Sequence, residues 1–198
     1  MGVRLYHSPG SRSARVLWLL EELGDPYDLT VLTREERRAD GHRTKHPLGK
    51  VPVVDTDTGT LYESGAICLQ LADTHPQAGL IGPIGSQERA LAYQWAFFNG
   101  TELEPGVIEV LHHREDDPAR AEAGREKFRA AGAVVEAELA NREWLVGGVF
   151  SVADVMVGDG LRLARRAELL DSFPNLQTYV DRLEARPAFL RSMAVPTA

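Results

Sequence analysis

The chain has 198 residues, of which 43% are hydrophobic and 26% are charged, an ordinary composition for a globular protein. Its 22 lysines and arginines are outnumbered by 29 aspartates and glutamates, and the net charge of −7 argues against a nucleic-acid partner. Neither an apolar run long enough to span a bilayer nor a signal-peptide pattern is present, so the sequence predicts a cytoplasmic protein without a membrane partner.

The chain has a single cysteine, Cys68, which excludes an internal disulfide and a metal site built from several thiolates. Its neighbours are apolar, so we interpret it as a small buried side chain and not as a reactive thiol. The adjacent histidines His112 and His113 would point about 100° apart on a helix. We therefore predict no metal site.

The first part of the chain alternates between strand and helix patterns. "VRLYH" at residues 3–7 is typical of a strand, and "ARVLWLLEELG" has apolar residues at helical spacing until Gly24 ends the helix. "YDLTVL" predicts a second strand, residues 34–46 a weak helix, "VPVV" and "TLY" two short strands, and residues 64–74 a further helix. The predicted element order is βαβαββα.

Residues 75–86, "HPQAGLIGPIGS", are rich in proline and glycine and interrupt every periodicity, as linkers do. Beyond them we find only helical patterns, at residues 87–113, 119–141, 154–166 and 176–186. The sequence therefore predicts an α/β domain at residues 1–76, a linker at residues 77–86, and an all-α domain at residues 87–198.

The segment "FSVADV" at residues 150–155 is typical of a helix start. Ser151 as the N-cap can bond the amide of Asp154, and the Asp154 carboxylate can reach back. This capping geometry explains both polar residues, so we assign them to folding and not to catalysis.

The turn "SPGSRS" at residues 8–13 places three hydroxyls and Arg12 immediately before a helix. Free amides and the helix dipole favour an anion at such a point, although capping by Ser11 or Ser13 explains the serines equally well. No G-x-S-x-G elbow supports a serine nucleophile. A hydroxyl has another use here: it can donate a hydrogen bond to a thiolate and thereby lower the pKa of a thiol.

Pro52 cannot donate a hydrogen bond within a sheet, so its position in "GKVPVV" predicts an edge or a deliberate break. If the Val51–Pro52 bond is cis, the amide and carbonyl of Val51 turn outward and a short peptide can pair with them as an added strand. Ser64 and the first amides of the next helix can receive a carboxylate, and Glu63 can meet an amino group. Together these residues suit a small ligand with a peptide middle and an amino-acid end.

Five segments carry a resemblance to a known family. They are "LYHSPGSRSARVLWLLEELG", "HPLGKVPVV", "YESGAICLQLAD", "FSVADV" and "FPNLQTYVDRLEARPAF", and they follow the order and spacing of the cytosolic glutathione transferases. The chain resembles that family over almost its whole length. The resemblance implies a thioredoxin-like first domain that binds glutathione as a co-substrate, an all-helical second domain, and a homodimer.

The resemblance also implies roles for single residues. Val51 precedes the family's cis-proline, Pro52, and pairs through its backbone with the cysteinyl part of glutathione. Glu63 and Ser64 match the pair that holds the γ-glutamyl end. Lys50 lies where a family lysine approaches the glycine carboxylate, although a solvated turn lysine is the competing interpretation.

The residue that activates the thiol differs between branches of the family. Alignment of the first helix places Ser11 at the position of the serine of theta-like enzymes, and alignment of the first strand places Tyr6 where other branches use tyrosine. Ser11 is the first candidate, Tyr6 the second and Ser13 the third. The cysteine-using branch would have its cysteine near Arg12, which we count among the glutathione-binding residues; the missing cysteine argues against mixed-disulfide catalysis by the protein.

In the family, the acceptor site lies between the domains and faces the long helices. The candidates to line it here are the aromatic residues Trp95, Phe97 and Phe98 and the adjacent Asn99. Trp95 and Phe98 also follow the apolar stripe of their helix, so core packing is the competing interpretation.

The leading hypothesis is a glutathione transferase that activates the glutathione thiol and delivers it to a small hydrophobic electrophile or a peroxide, with conjugation ranked first. The alternative from another class is a catalytically silent relative that serves as a binding or dimerisation module, because function resides in the site and not in the scaffold. A glutathione-dependent isomerase or disulfide reductase is a third possibility; the serine-cysteine motif of the isomerase branch is missing.

Overall fold

The computed structural model describes residues 2–195, which divide into two units. The first unit contains residues 2–79 and 186–195, and the second contains residues 80–185. The boundary between residues 79 and 80 falls within the segment predicted as a linker, residues 77–86.

The first unit contains four strands and the helices between them. The strands are β1 (Val3–His7), β2 (Tyr27–Val31), β3 (Val53–Thr56) and β4 (Gly59–Tyr62). The helices within residues 2–79 are α1 (Ser13–Leu23), α2 (Arg34–Arg38), α3 (Asp40–Arg43), α4 (Ser64–Thr74) and a 3₁₀ turn at Pro76–Ala78. The weak helix predicted at residues 34–46 is two short helices, because the backbone of Ala39 is extended and interrupts the helical hydrogen bonds.

The strands form one mixed sheet in the order β2-β1-β3-β4. β1 runs parallel to β2 and antiparallel to β3, with Tyr6 opposite Val53, and β3 runs antiparallel to β4, with Val53 opposite Tyr62. The end of β1, the start of β3 and the end of β4 therefore meet at one edge of the sheet.

A last helix, α10 (Pro187–Met193), belongs to the first unit and packs on α1. Trp18 and Phe189 meet edge to face with 5.2 Å between ring centroids, and Arg186 donates two hydrogen bonds to the carboxylate of Glu22 at 2.7 and 2.8 Å. The sequence patterns did not predict this helix and assigned its residues to the second domain, so the observed division differs from the predicted one at this point.

The second unit is helical. Its helices are α5 (Gln87–Phe98), α6 (Glu104–His113), α7 (Pro118–Leu139), α8 (Val152–Arg166) and α9 (Pro174–Glu184). α6 and α7 pack closely through Gly106 and Gly124, since a Cβ on Gly106 would lie 2.7 Å from the carbonyl of Gly124. The single helix predicted at residues 87–113 is interrupted by a π-helical turn at Asn99–Leu103, which carries the side chain of Asn99 into the interior.

Helix α8 begins at Val152, two residues before the predicted start, and Asp154 lies in its first turn. The buried carboxylate of Asp154 accepts hydrogen bonds from the amide of Ser151 at 2.8 Å and from the amide of Leu145 at 3.0 Å. Ser151 and Asp154 form a capping box. The predicted capping box of Ser151 and Asp154 is confirmed. Across residues 2–195, no helix combines the length and the hydropathy needed to cross a bilayer.

Candidate functional site

Three chain segments meet at the sheet edge where β1 ends. They are the turn at residues 8–12 that leads from β1 into α1, the residues Val51 and Pro52 before β3, and the residues Glu63 and Ser64 between β4 and α4. The strand pairing therefore brings together most of the residues that the sequence predicted to bind a ligand.

The hydroxyls of Ser11 and Ser13 form a hydrogen-bonded series with His7. Ser11 Oγ donates to the carbonyl of Ser8 at 2.7 Å and lies 2.7 Å from Ser13 Oγ. Ser13 Oγ lies 2.8 Å from Nδ1 of His7 and accepts from the amide of Ser8 at 3.1 Å. Ser13 and His7 are buried, whereas Ser11 is partly exposed, so the series reaches the surface at Ser11.

His7 was not among the predicted site residues. Burial lowers the pKa of its imidazole, and the hydrogen bond with Ser13 opposes this shift only in part. The strand pattern contains a signal that identifies it: His7 shares the buried face of β1 with Val3 and Leu5, and a polar side chain on that face needs a partner.

Tyr6 points to the other face of β1, because neighbouring residues of a strand alternate. Its hydroxyl donates to Asp55 at 2.9 Å, and Lys45 and Thr60 each donate to the same carboxylate at 2.6 Å. Burial works to raise the pKa of Asp55, but these hydrogen bonds outweigh it and the pKa is lowered. The Tyr6 hydroxyl is therefore engaged with a structural carboxylate and lies outside the serine series.

Arg12 is the exposed residue that precedes α1. It occupies the N-cap position with helical backbone angles and does not cap the helix through its side chain. Capping of α1 by Ser13, one interpretation of the sequence, is likewise not observed. Ser13 is the first residue of the helix, and its hydroxyl forms hydrogen bonds with its neighbours in the turn.

The peptide bond between Val51 and Pro52 is cis. The side chain of Val51 is buried, yet its amide and carbonyl form no hydrogen bond to any residue in the range 2–195. The carbonyl of Lys50 accepts from Nε2 of His42 at 2.7 Å, which holds the chain immediately before Val51, and the Lys50 side chain is exposed. One donor and one acceptor of the main chain are thus open to a ligand at Val51.

Helix α4 begins at Ser64 without a side-chain cap. The N-cap residue, Glu63, has a φ of 74°, a left-handed conformation that residues other than glycine seldom adopt. Ser64 is buried, and its hydroxyl has no hydrogen-bond partner within the described part of the chain. Because the first amides of a helix need acceptors, this turn suits an anionic group.

His46 is a second residue that the sequence analysis missed. Burial lowers its pKa; Glu63 opposes this effect, and His42 and Lys50 add to it. Its ring lies 4.8 Å from that of Tyr62, the last residue of β4. His46 therefore stands among the charged residues of the sheet edge, and no spacing motif in the sequence pointed to it.

The predicted acceptor residues belong to the second unit. Trp95 is 4% exposed and packs against Phe98 with 5.4 Å between ring centroids, and Asn99 is fully buried with its amide donating to Glu104 at 3.1 Å. Phe98 is half-buried and borders an open cavity of about 440 Å³. Phe98 thus lines a cavity, whereas Trp95 and Asn99 are core residues within their unit.

Cys68 is fully buried in α4, as its apolar neighbours predicted. Within residues 2–195, no group of three or more histidine, cysteine, aspartate or glutamate side chains is arranged to hold a metal ion. The chemistry-bearing groups of the sheet edge are therefore hydroxyls, imidazoles, a carboxylate and open main-chain amides.

Comparison with protein families matches residues 5–79 to the glutathione S-transferase N-terminal domain and residues 93–187 to the glutathione S-transferase C-terminal domain. Glutathione S-transferase 4 of Zea mays is 29% identical over 188 residues, which cover 88% of this chain and 84% of that protein. Glutathione S-transferase GstA of Escherichia coli O157:H7 is 27% identical over 191 residues, covering 93% of this chain and 94% of that protein.

A solved structure of a sphingomonad glutathione S-transferase complexed with glutathione matches with a TM-score of 0.87 at 28% identity, over 96% of each chain. The predicted fold class is confirmed: an α/β thioredoxin-like N-terminal domain is followed by an all-α C-terminal domain. The chain therefore belongs to the glutathione S-transferase family of enzymes.

Proposed function

We propose that this transferase binds glutathione at the sheet edge of the first unit, stabilises its thiolate with the Ser11 hydroxyl, and transfers it to a small hydrophobic electrophile or a peroxide. The observation that carries the proposal is the convergence of three complementary groups at that edge. They are the open main chain of Val51, the uncapped start of α4 at Ser64, and the surface end of the serine series at Ser11.

Val51 suits the cysteinyl part of glutathione. An extended peptide that meets an amide and a carbonyl without partners gains two main-chain hydrogen bonds, as in strand addition. The hydrogen bond from His42 to the carbonyl of Lys50 supports this use, because it fixes the chain at the residue before Val51.

The start of α4 suits the γ-glutamyl end. Its α-carboxylate can accept from Ser64 and from the first amides of the helix, where the helix dipole also favours negative charge. Glu63 is exposed beside it and can pair with the α-amino group. Lys50 and Arg12 remain candidates for the glycine carboxylate and for the approach of the anionic ligand.

Ser11 suits the thiol. A hydrogen bond to the thiolate favours the charged form and lowers the thiol pKa from about 8.5, each unit being worth about 1.4 kcal/mol. Ser11 ranks first because its hydroxyl is the partly exposed one; Tyr6 ranks behind it because its hydroxyl is engaged by Asp55, and Ser13 because it is buried. The enzyme then contributes positioning and charge stabilisation, and glutathione is the nucleophile.

Conjugation to an electrophile ranks above disulfide chemistry. Cys68 is fully buried in α4, so the protein's single thiol is withheld from a mixed disulfide. We further propose that the chain acts as a cytoplasmic homodimer, which sedimentation equilibrium of the purified protein tests.

The experiment is a titration of the glutathione complex with pH, following thiolate absorbance in the ultraviolet. S-methylglutathione, which lacks an ionisable thiol, provides the baseline. We expect the bound thiol to ionise well below about pH 8.5, and we expect Ser11→Ala to raise this pKa while binding changes by no more than a few-fold. Conjugation to an activated aryl halide should fall in parallel.

Two outcomes contradict the proposal. Tight binding without a shift of the thiol pKa would indicate a glutathione carrier, and absence of binding would indicate a catalytically silent scaffold. A shift that survives Ser11→Ala would instead transfer the activating role to Ser13 or Tyr6, which the corresponding Ser13→Ala and Tyr6→Phe variants separate.

A further inference from the structure

The hydrogen-bonded series at the end of β1 has a direction, and the direction follows from counting hydrogens. The carbonyl of Ser8 can only accept, and it lies 2.7 Å from Ser11 Oγ. The single hydroxyl hydrogen of Ser11 is therefore placed on that carbonyl.

The next contact joins two hydroxyls. Ser11 Oγ and Ser13 Oγ lie 2.7 Å apart, a distance that requires one hydrogen between them. The Ser11 hydrogen is already used, and the Ser8 carbonyl is a more distant acceptor for the Ser13 hydrogen at 3.3 Å, so Ser13 donates to Ser11 and Ser11 accepts.

The last contact then fixes the tautomer of His7. Ser13 Oγ lies 2.8 Å from Nδ1 of the ring, and the hydrogen of Ser13 is directed to Ser11, so Nδ1 must carry the hydrogen. Ser13 Oγ accepts from this N–H and from the amide of Ser8 at 3.1 Å, which fills both of its lone pairs. In this arrangement each of the three shortest contacts contains one hydrogen.

The opposite tautomer has the opposite consequence. A bare Nδ1 would take the hydrogen of Ser13, so the 2.7 Å contact between Ser13 Oγ and Ser11 Oγ would need the hydrogen of Ser11. Turning that hydrogen toward the sulfur would then leave the contact between the two hydroxyls without a hydrogen. Burial lowers the pKa of His7, so the ring is neutral near pH 7 and the choice lies between these two tautomers.

We propose that His7 is a positioning residue whose Nδ1–H directs the Ser13 hydroxyl toward Ser11, so that the single Ser11 hydrogen stays available for the thiolate of bound glutathione. A rotation about the Cβ–Oγ bond of Ser11 moves this hydrogen from the Ser8 carbonyl to the sulfur, and no covalent bond changes. The inference rests on the proposed role of Ser11. His7 acts through Ser13 and does not itself touch the ligand.

The tautomer can be measured directly in the wild-type protein. Nitrogen-15 NMR of histidine-labelled enzyme with glutathione bound distinguishes a protonated from a bare ring nitrogen, and His7→Asn identifies the His7 signals by their loss. We expect a protonated Nδ1 and a bare Nε2. A bare Nδ1 would overturn the inference without any variant having to fold.

The functional consequence is measured by the pKa of the bound thiol. His7→Leu removes the donor, so the Ser11 hydrogen can turn into the empty lone pair of Ser13; we expect the thiol pKa to rise by about 0.5–1 unit, the size of one net hydrogen bond. His7→Asn retains an N–H donor and should restore most of the shift. In a Ser13→Ala background, His7→Leu should have no further effect.

A matched control comes from another buried histidine of the first unit. His75 is 8% exposed and its Nδ1 donates to the carbonyl of Leu71 at 2.7 Å, away from the serine series. His75→Leu should lower the thermal midpoint of unfolding as His7→Leu does, yet leave the thiol pKa unchanged. An equal rise in both variants would mean a general structural effect and would overturn the inference.

The outcomes separate this inference from the proposed function. If the wild-type complex shows no lowered thiol pKa, the proposed function fails and the positioning role falls with it. If the wild-type shift is present and is lost in Ser11→Ala but not in His7→Leu, only the role of His7 is overturned.

Discussion

Helices α8 and α4 both have a serine at their start, Ser151 and Ser64, but the two starts differ in how far their polar groups are hydrogen-bonded within the protein. At α8, the Asp154 carboxylate accepts from the amide and hydroxyl of Ser151 at 2.8 and 3.0 Å, from the amide of Leu145 at 3.0 Å, and from the hydroxyl of Tyr179 at 2.7 Å. The carboxylate is fully buried. The polar side chains of this helix start are therefore bonded to groups of the protein itself.

At α4, the corresponding groups are left open. Ser64 has no hydrogen-bond partner within residues 2–195, the helix has no side-chain cap, and Glu63 adopts a left-handed backbone. The positive φ of Glu63 costs free energy in the folded protein. The contrast supports the proposal that the start of α4 serves binding, whereas the start of α8 serves stability.

The largest expected effect is on stability and concerns the start of α8. Asp154→Ala leaves two amides and the Tyr179 hydroxyl without their acceptor, and we expect the free energy of unfolding to fall by about 3–4 kcal/mol, as measured by urea denaturation. Asp117→Ala is the matched control, because Asp117 caps α7 from an exposed position through one bond to the amide of Arg120 at 3.1 Å. Loss of the Asp117 cap should lower the free energy of unfolding by about 1 kcal/mol. Equal losses in the two variants would mean that burial of a cap does not increase its contribution to stability.

The next effect concerns the start of α4, and it is expected on glutathione binding instead of on stability. Ser64→Ala removes one charge-assisted hydrogen bond to the proposed carboxylate, and we expect glutathione affinity measured by calorimetry to fall by about 1–3 kcal/mol. The free energy of unfolding should change little, since the hydroxyl has no partner within the described chain. Ser86→Ala should behave in the reverse way, because Ser86 caps α5 by accepting from the amide of Arg89 at 3.2 Å. Unaltered affinity in Ser64→Ala would show that this end does not bind the ligand.

A third, smaller effect has opposite signs for stability and binding. Glu63→Gly relieves a φ of 74° that glycine adopts freely, so we expect the protein to gain up to about 1 kcal/mol of stability. The same change removes the carboxylate proposed to meet the amino group, so glutathione should bind more weakly. Glu168 has a φ of 60° and is exposed in the second unit. Glu168→Gly should therefore gain stability without any loss of affinity, and a loss there would contradict the assignment to Glu63.

Much of the candidate binding site at α4 and Pro52 was predictable from the sequence, because local sequence signals determine these segments. The helix limits at Ser64 and Thr74 follow from apolar spacing, and the break at Pro52 follows from the missing amide hydrogen. The strand order then brings these segments together. The element pattern alone does not give that order, because β2 and β3 are consecutive in the chain but β1 lies between them in the sheet.

The residues that were missed depend on distant contacts. The alternation of β1 marks His7 for the buried face, but its contact with the Ser13 hydroxyl becomes evident only in the folded chain. The helix α10 is seven residues long and is held by Glu21 and Glu22, which lie more than 160 residues earlier in the chain. Asn99 looked accessible beside two aromatic residues, but the π-helical turn rotates it into the interior.

The smallest effect expected is on the pH dependence of stability, and it belongs to the buried histidines of the sheet edge. Burial lowers the pKa of both His7 and His46 below the value of 6.5 expected in the unfolded chain. Between the folded and unfolded pKa values the unfolded chain binds more protons, so stability rises with pH in that window and is lost as the pH falls through it.

We therefore expect the thermal midpoint of unfolding to fall as the pH is lowered from about 7.5 to about 5. His7→Asn and His46→Asn each replace a titrating ring by a neutral amide and should reduce this fall, with the double variant showing the smallest dependence. If His7→Asn left the pH dependence of the thermal midpoint unchanged, burial would not hold the His7 imidazole in its neutral form. A charged ring would still carry a hydrogen on Nδ1, so the direction derived for the contact between His7 and Ser13 would be unchanged.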